Sequence, residues 1–166
     1  MQINNRLDDN EIYGKADVVS RLMYGHNYQP TIHAIRISHA IDLSTAQAQM
    51  RSMFSAIDPA SSFFVIDKTS LENAIRQAFD FRGDKSAGLE INQKQEENLK
   101  QEQNLLMQMI LGTVDDESAI YSADLSDFPD YTEEGGLPIY YVYWGFIFLI
   151  LNPTGASWLI FGAASD

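Results

Sequence analysis

The sequence predicts one α+β domain over residues 1–166, mainly an antiparallel sheet with a C-terminal β-hairpin at its centre and amphipathic helices packed against it. Three observations carry that prediction. Two runs rich in β-branched and aromatic residues, Ile139–Leu151 and Ala156–Phe161, flank Asn152-Pro153-Thr154-Gly155, which is strand–turn–strand composition. Apolar residues recur at helical spacing in segments that open on capping signals. A chain of 166 residues is also long enough to bury a core in one domain.

Along the chain, Asp17–Tyr24 reads as a short helix with Val18, Val19, Leu22 and Met23 inward and Gly25 as its stop. Pro30 breaks the chain, and Thr31–Ile37 has the content of a strand. Ser44-Thr45-Ala46-Gln47 is a capping box opening a helix whose stripe is Ala46, Met50, Met53, Phe54 and Ile57. Pro59 ends it by disfavouring α geometry at Asp58. Ser62–Ile66 reads as a short buried strand. A second capping box, Thr69–Glu72, precedes a stripe of Leu71, Ala74, Ile75, Ala78 and Phe79, stopped by Gly83. Residues 84–88 are expected to be loop.

A long helix is expected over Glu90–Leu111. Leu99 is the sole apolar residue of Asn92–Asn104, whereas Leu105–Leu111 is apolar nearly all round. Half-solvated helices project from a domain or pack on a partner. Thr113–Pro138 then forms an acidic connector, pinned to the body by Ile120, Tyr121, Leu125, Phe128 and Tyr131. In the hairpin, Asn152–Gly155 fits a type I turn with Pro153 second and Gly155 at φ > 0 closing a bulge. Both faces of Ile139–Leu151 are apolar, so this strand belongs in mid-sheet with Trp144 and Phe146 largely buried. Gly145 interrupts a run longer than most strands, where a bend or bulge is expected.

Residues 135–165 carry no charge, enough to span a bilayer. Asn152–Gly155 divides that run into arms too short to cross as helices, and no Lys or Arg flanks it. The hairpin is therefore the better reading. Met1–Asp9 has neither a basic n-region nor an apolar h-region, so no secretory signal is expected and a cytoplasmic location is the default. The absence of cysteine excludes disulfides, thiol catalysis and cysteine-based zinc sites.

The net charge of −12 is unevenly placed. Residues 1–100 hold all 11 Lys and Arg against 13 acids, whereas residues 101–166 hold 10 acids and no base. Such a field repels nucleic acid and anionic membranes and attracts basic proteins. Eight of those 10 acids lie in Asp115–Glu134: Asp115, Asp116, Glu117, Asp124, Asp127, Asp130, Glu133 and Glu134. They do not follow the spacing of an EF-hand. His26, His33 and His39 lack the spacing of a metal site. Nucleophile, P-loop and dinucleotide signatures are missing. No catalytic residue, metal or cofactor is expected.

The acidic connector Asp115–Glu134 and the hairpin Tyr140–Phe161, in a small cysteine-free α+β chain, resemble the immunity proteins of bacterial polymorphic and contact-dependent toxin systems. That resemblance implies a cytoplasmic protein that binds a cognate basic toxin domain, often a nuclease, and blocks its active site. The acids would steer the encounter, and Tyr121, Phe128 and Tyr131 would anchor the complex. Two other classes compete: a metal-dependent enzyme or enzyme subunit using the acidic connector, and a structural oligomerisation protein using the polar helix Asn92–Asn104.

Overall fold

A strand that is apolar on both faces needs cover on both, and the sheet provides it. The computed structural model describes residues 9–26, 28–37, 40, 42–58, 60–83 and 90–166. His39, Pro59, the start of the chain and the loop expected over 84–88 lie outside the described residues. The elements in order are α1 (Asp9–Met23), β1 (Gln29–Ile37), α2 (Leu43–Met53), β2 (Phe64–Ile66), α3 (Lys68–Asp80), α4 (Gln93–Gly112), β3 (Ala119–Ala123), a 3-10 turn (Leu125–Asp127), β4 (Trp144–Leu151) and β5 (Ser157–Ser165). The strands form one antiparallel sheet in the order β1-β5-β4-β3-β2. The α+β class and the central hairpin are thus as the sequence predicts.

Alternation along β4 divides the core in two. Phe146, Phe148 and Ile150 face a layer made by α1, α3 and α4, joined by Trp158 and Ile160 of β5. Ile147, Leu149 and Leu151 face Ala46 and Met50 of α2, together with Leu125, Phe128 and Leu137 from the connector and Ile139 just after it. Fully burying one such side chain contributes about 1.5–3 kcal/mol, so the hairpin supplies the largest share of the core. Phe146 is buried as expected, but Trp144, at the mouth of the strand, is only half-buried. The uncharged run is therefore a hairpin, and among the described residues no helix is long and apolar enough to cross a membrane.

Several local expectations are corrected. β4 begins at Trp144, so Ile139–Tyr143 is not strand. Gly145 lies in unbroken register opposite Ala163 and makes no bulge. A Cβ there would strike the Leu125 side chain and come 2.8 Å from Tyr141 Cδ2, so the glycine admits neighbours instead of bending the strand. The Asn152–Gly155 turn closes with Gly155 N–H donating to Asn152 O at 3.5 Å, yet Gly155 is not among the positive-φ residues. β5 continues past Phe161 to Ser165.

Pro30 does not break the chain but lies within β1, opposite Ala164. β1 is an edge strand, where a missing N–H costs no ladder bond. The next outward N–H, of Ile32, donates to Ser20 Oγ of α1 at 3.0 Å, so α1 seals part of that edge. The other edge is β2. It is open, with Phe64 and Val65 56% and 69% exposed, which corrects the buried strand expected there.

α1 starts earlier than expected because Ile12, Ala16, Val19 and Met23 form its buried stripe, leaving Val18 exposed. Gly25, at φ 83, follows its end as expected. The caps of α2 and α3 are Asp42 and Asp67, which accept from Thr45 N–H and Ser70 N–H, each at 2.7 Å. Each helix therefore begins before the Ser/Thr capping box read from sequence, since a carboxylate caps as well and adds favourable charge. Asn92 and Gln95 form the true capping box of α4. α4 does not project. Leu99 and Gln103 are buried, Gln103 Nε2 donates to Phe79 O at 3.2 Å, and Lys15 Nζ meets Glu102 Oε2 at 2.5 Å. Its second half still shows Leu105 to solvent. The polar helix thus packs one side, through Leu99 and Gln103, within its own chain, and its other side stays exposed.

Candidate functional site

The acidic connector is not one loop. β3 runs through it between β2 and β4, and at about 3.3 Å per residue its five residues carry the chain roughly 15 Å across the sheet. Asp115, Asp116 and Glu117 consequently lie at the end of the sheet where β4 turns into β5. Asp124 caps the 3-10 turn past the far end of β3 and Asp127 is its last residue, and Asp130, Glu133 and Glu134 follow beyond it. The candidate surface of eight acids is thereby split. Seven are exposed and Asp130 is half-buried. Among the described residues no ion pair reaches any of them.

Some of these carboxylates build turns. Asp115 accepts from Glu117 N–H at 3.0 Å, Asp124 from Ser126 N–H at 3.0 Å and Asp130 from Thr132 N–H at 2.9 Å. The Ser126 hydroxyl and N–H hold the Asp124 carboxyl below the usual range. At the turn end, Asn152 is buried. Its Nδ2 donates to Thr113 O at 2.8 Å and Ala156 O at 2.5 Å, and its Oδ1 accepts from Ser118 Oγ. Asn152 N–H donates to Ser157 Oγ, which in turn donates to Ala40 O, both at 3.0 Å. This end is polar, satisfied and closed.

The three expected aromatic anchors fare differently. Phe128 is 7% exposed, with its ring edge-on to Phe63 at 5.7 Å in the α2-side core. It cannot meet a partner without leaving that core, so its assignment as an interface anchor is corrected. Tyr121 is half-buried on β3 against the same core. Tyr131 is 62% exposed and therefore a surface residue, not the pin to the body expected from sequence.

Tyr131 belongs to a group that the sequence reading did not single out as a site. Tyr140, Tyr141, Val142 and Tyr143 are each about two-fifths exposed. Tyr131 N–H donates to Ile139 O at 3.2 Å, which brings the Tyr131 and Tyr140 rings to 5.6 Å at 81°. Val142 and Tyr143 N–H both donate to Ala164 O, at 3.1 and 3.0 Å, tying the segment to the end of β5. Tyr143 stacks on Tyr28 at 4.3 Å, and Phe81 lies 5.9 Å from it. The Tyr143 phenol is pushed up from its ordinary pKa by desolvation first, then by the charges of Asp166 and Tyr28. The signal that could have found this group is the clustering of tyrosine, whose hydroxyl favours a wet end, before the phenylalanines of β4.

Tyr131 and Tyr140 also wall a hollow of about 420 Å³. Gln29 and Thr31 of β1, with Ser165 and Asp166, contribute its polar lining, and no basic residue does. His33 braces one wall. Its ring stacks on Phe161 at 5.0 Å, and because a carbonyl can only accept, Nε2–H donates to Pro138 O at 3.3 Å. Burial lowers the His33 pKa below 6.5, against smaller upward effects from the Pro138 bond and Asp17. A second hollow of about 450 Å³ is lined by α1 and β1, beside Tyr13, Tyr24 and the Asp17–Arg21 ion pair of 2.5 Å.

Among the described residues no three His, Asp or Glu side chains converge as a metal site would require. The split of the connector explains why: β3 holds its acids apart. Comparison with protein-family models, with curated proteins and with solved structures finds no match.

Proposed function

We propose that this protein is an inhibitor of the immunity type, which binds a basic protein domain in the cytoplasm and covers that domain's working surface. The observation that carries the reading is the exposed Tyr131–Tyr140 pair, whose hollow Asp166 also lines, with the exposed Glu133 and Glu134 following Tyr131 closely in the chain. Exposed aromatics rimmed by charge are the composition of an interface: tyrosines bury large area at low entropic cost, and the rim sets encounter rate. The absence of any base in residues 101–166 leaves that rim without neutralisation from its own third of the chain. A nuclease toxin with a cationic groove is the partner class such a face fits, because an acidic surface can occupy a phosphate-binding groove.

The test is binding kinetics against a co-purified basic partner at two salt concentrations. Replacing Glu133 and Glu134 by Gln removes two exposed charges of that rim, so the fold is expected to persist. Association is expected to slow and its salt dependence to weaken. Tyr131→Ala is expected to raise the dissociation rate instead. Unchanged rates for both variants at both salts would show these residues to be solvated surface only.

A further inference from the structure

The hollow beside β1 has features that a general acidic surface lacks. Its two tyrosine rings are in edge-to-face contact, at 81° with centroids 5.6 Å apart, so nothing fits between them; the pair forms a corner in which a planar group can lie on a free ring face. Ring faces are negative through the π quadrupole and attract cations, arginine most often. Asp166 supplies a carboxylate, and Gln29, Thr31 and Ser165 supply neutral acceptors around it. The volume of about 420 Å³ falls at the lower end of ligand-sized cavities, roughly 300–1,000 Å³. The walls are held independently of any ligand. Tyr131 N–H is bonded to Ile139 O, and His33 holds Pro138. Such a site is built before its occupant arrives, which limits the ordering cost of binding.

We propose that this hollow is a guanidinium site, in which an arginine side chain of the basic partner lies in the corner of the Tyr131–Tyr140 pair, stacked on a free ring face, and pairs with the Asp166 carboxylate. A planar guanidinium suits the site better than an ammonium, since it stacks on an aromatic face and donates in plane at the same time. The proposal rests on the inhibitor reading for the source of the arginine, but the guanidinium chemistry can be tested without it. It also gives the exposed tyrosines a role. Their faces serve a cation while their hydroxyls stay wet.

The experiment titrates the full chain with N-acetyl-arginine methylamide and, separately, with the matching citrulline compound, which has nearly the same shape and no charge. The ring-proton signals of Tyr131 and Tyr140 are followed. The arginine compound is expected to shift both saturably, with the citrulline compound at least about tenfold weaker. Tyr131→Phe keeps the ring and is expected to retain binding. Tyr131→Leu keeps apolar area without the quadrupole and is expected to lose about tenfold, as is Asp166→Asn. Equal binding of the two compounds, or equal binding by the Phe and Leu variants, overturns the proposal. A basic partner that binds while the arginine compound leaves both rings unmoved overturns the guanidinium site and leaves the inhibitor reading standing. Saturable binding of the arginine compound with no protein partner captured does the reverse: the site stands as one for free guanidinium compounds.

Discussion

Residues 140–143 and 146–151 belong to one run rich in β-branched and aromatic residues, yet they meet opposite fates. From Phe146 onward every residue of β4 is buried, whereas Tyr140 to Tyr143 are all exposed. Hydrophobicity does not separate them, since Val142 is 44% exposed, but their aromatic residues sort by hydroxyl. The buried half carries Phe146 and Phe148, and the exposed half carries Tyr140, Tyr141 and Tyr143. A buried phenol needs a hydrogen-bond partner that an all-apolar sheet face cannot offer, so tyrosine settles where one edge stays wet. The contrast teaches that a run with strand composition can be part scaffold and part surface, with its phenylalanines in the buried part and its tyrosines in the exposed part.

The harshest way to break this contrast removes the scaffold half's partner. Ending the chain at Asn152 deletes β5, which lies between β1 and β4 with all nine residues buried. No cooperative melt is expected, because the lost burial is comparable to the entire stability of a domain, about 5–15 kcal/mol. A truncated chain that still melts cooperatively would contradict the architecture. A gentler pair exchanges the two halves' chemistry. Phe148→Tyr puts a hydroxyl into the core and is expected to cost about 1–3 kcal/mol. Tyr140→Phe removes one from the rim and is expected to change stability by less than about 0.5 kcal/mol. Denaturant midpoints measure both, and equal effects would show that the hydroxyl does not decide placement.

Most of the scaffold was legible in the sequence. Two-faced apolarity placed β4 in mid-sheet, and the stripe of Leu71, Ile75, Ala78 and Phe79 gave α3 its buried side. β3 was hidden because Ala119–Ala123 holds only Ile120 and Tyr121 as large apolar residues, amid acids that read as loop. Burial of Phe128 depends on Phe63, 65 positions away, a pairing no local pattern reveals. The candidate acids were found by charge counting, which cannot see a strand dividing them. The tyrosine face was within reach, but aromatic content alone assigned it to the strand.

Between these extremes lies Asn152, the polar residue that closes the scaffold half. Asn152→Ala leaves Thr113 O and Ala156 O without their donor and is expected to cost about 1–3 kcal/mol, measured by denaturant unfolding. The smallest effect belongs to His33, which holds Pro138 just ahead of the exposed half. Its folded pKa lies below 6.5, so the unfolded chain takes up the proton first as pH falls. Stability is therefore expected to be full above that value and to decline as pH drops from it towards the folded pKa. His33→Gln should remove that component, read as a melting-temperature difference from wild type that changes with pH over this window. A constant difference would mean that His33 does not titrate against folding.

The position of β5 between β1 and β4 has a consequence in time. Ile37 pairs with Ser157, so β1 waits for a partner made 120 residues later. At about 5–20 residues per second, that wait is roughly 6–24 s of synthesis. Throughout it Ile32, Ile35 and Ile37 have no neighbouring strand, because β1 pairs with no other strand in the sheet. Birth of this protein therefore includes an interval in which its first strand needs shielding, by α1 or by a chaperone, before the last strand arrives to close the sheet.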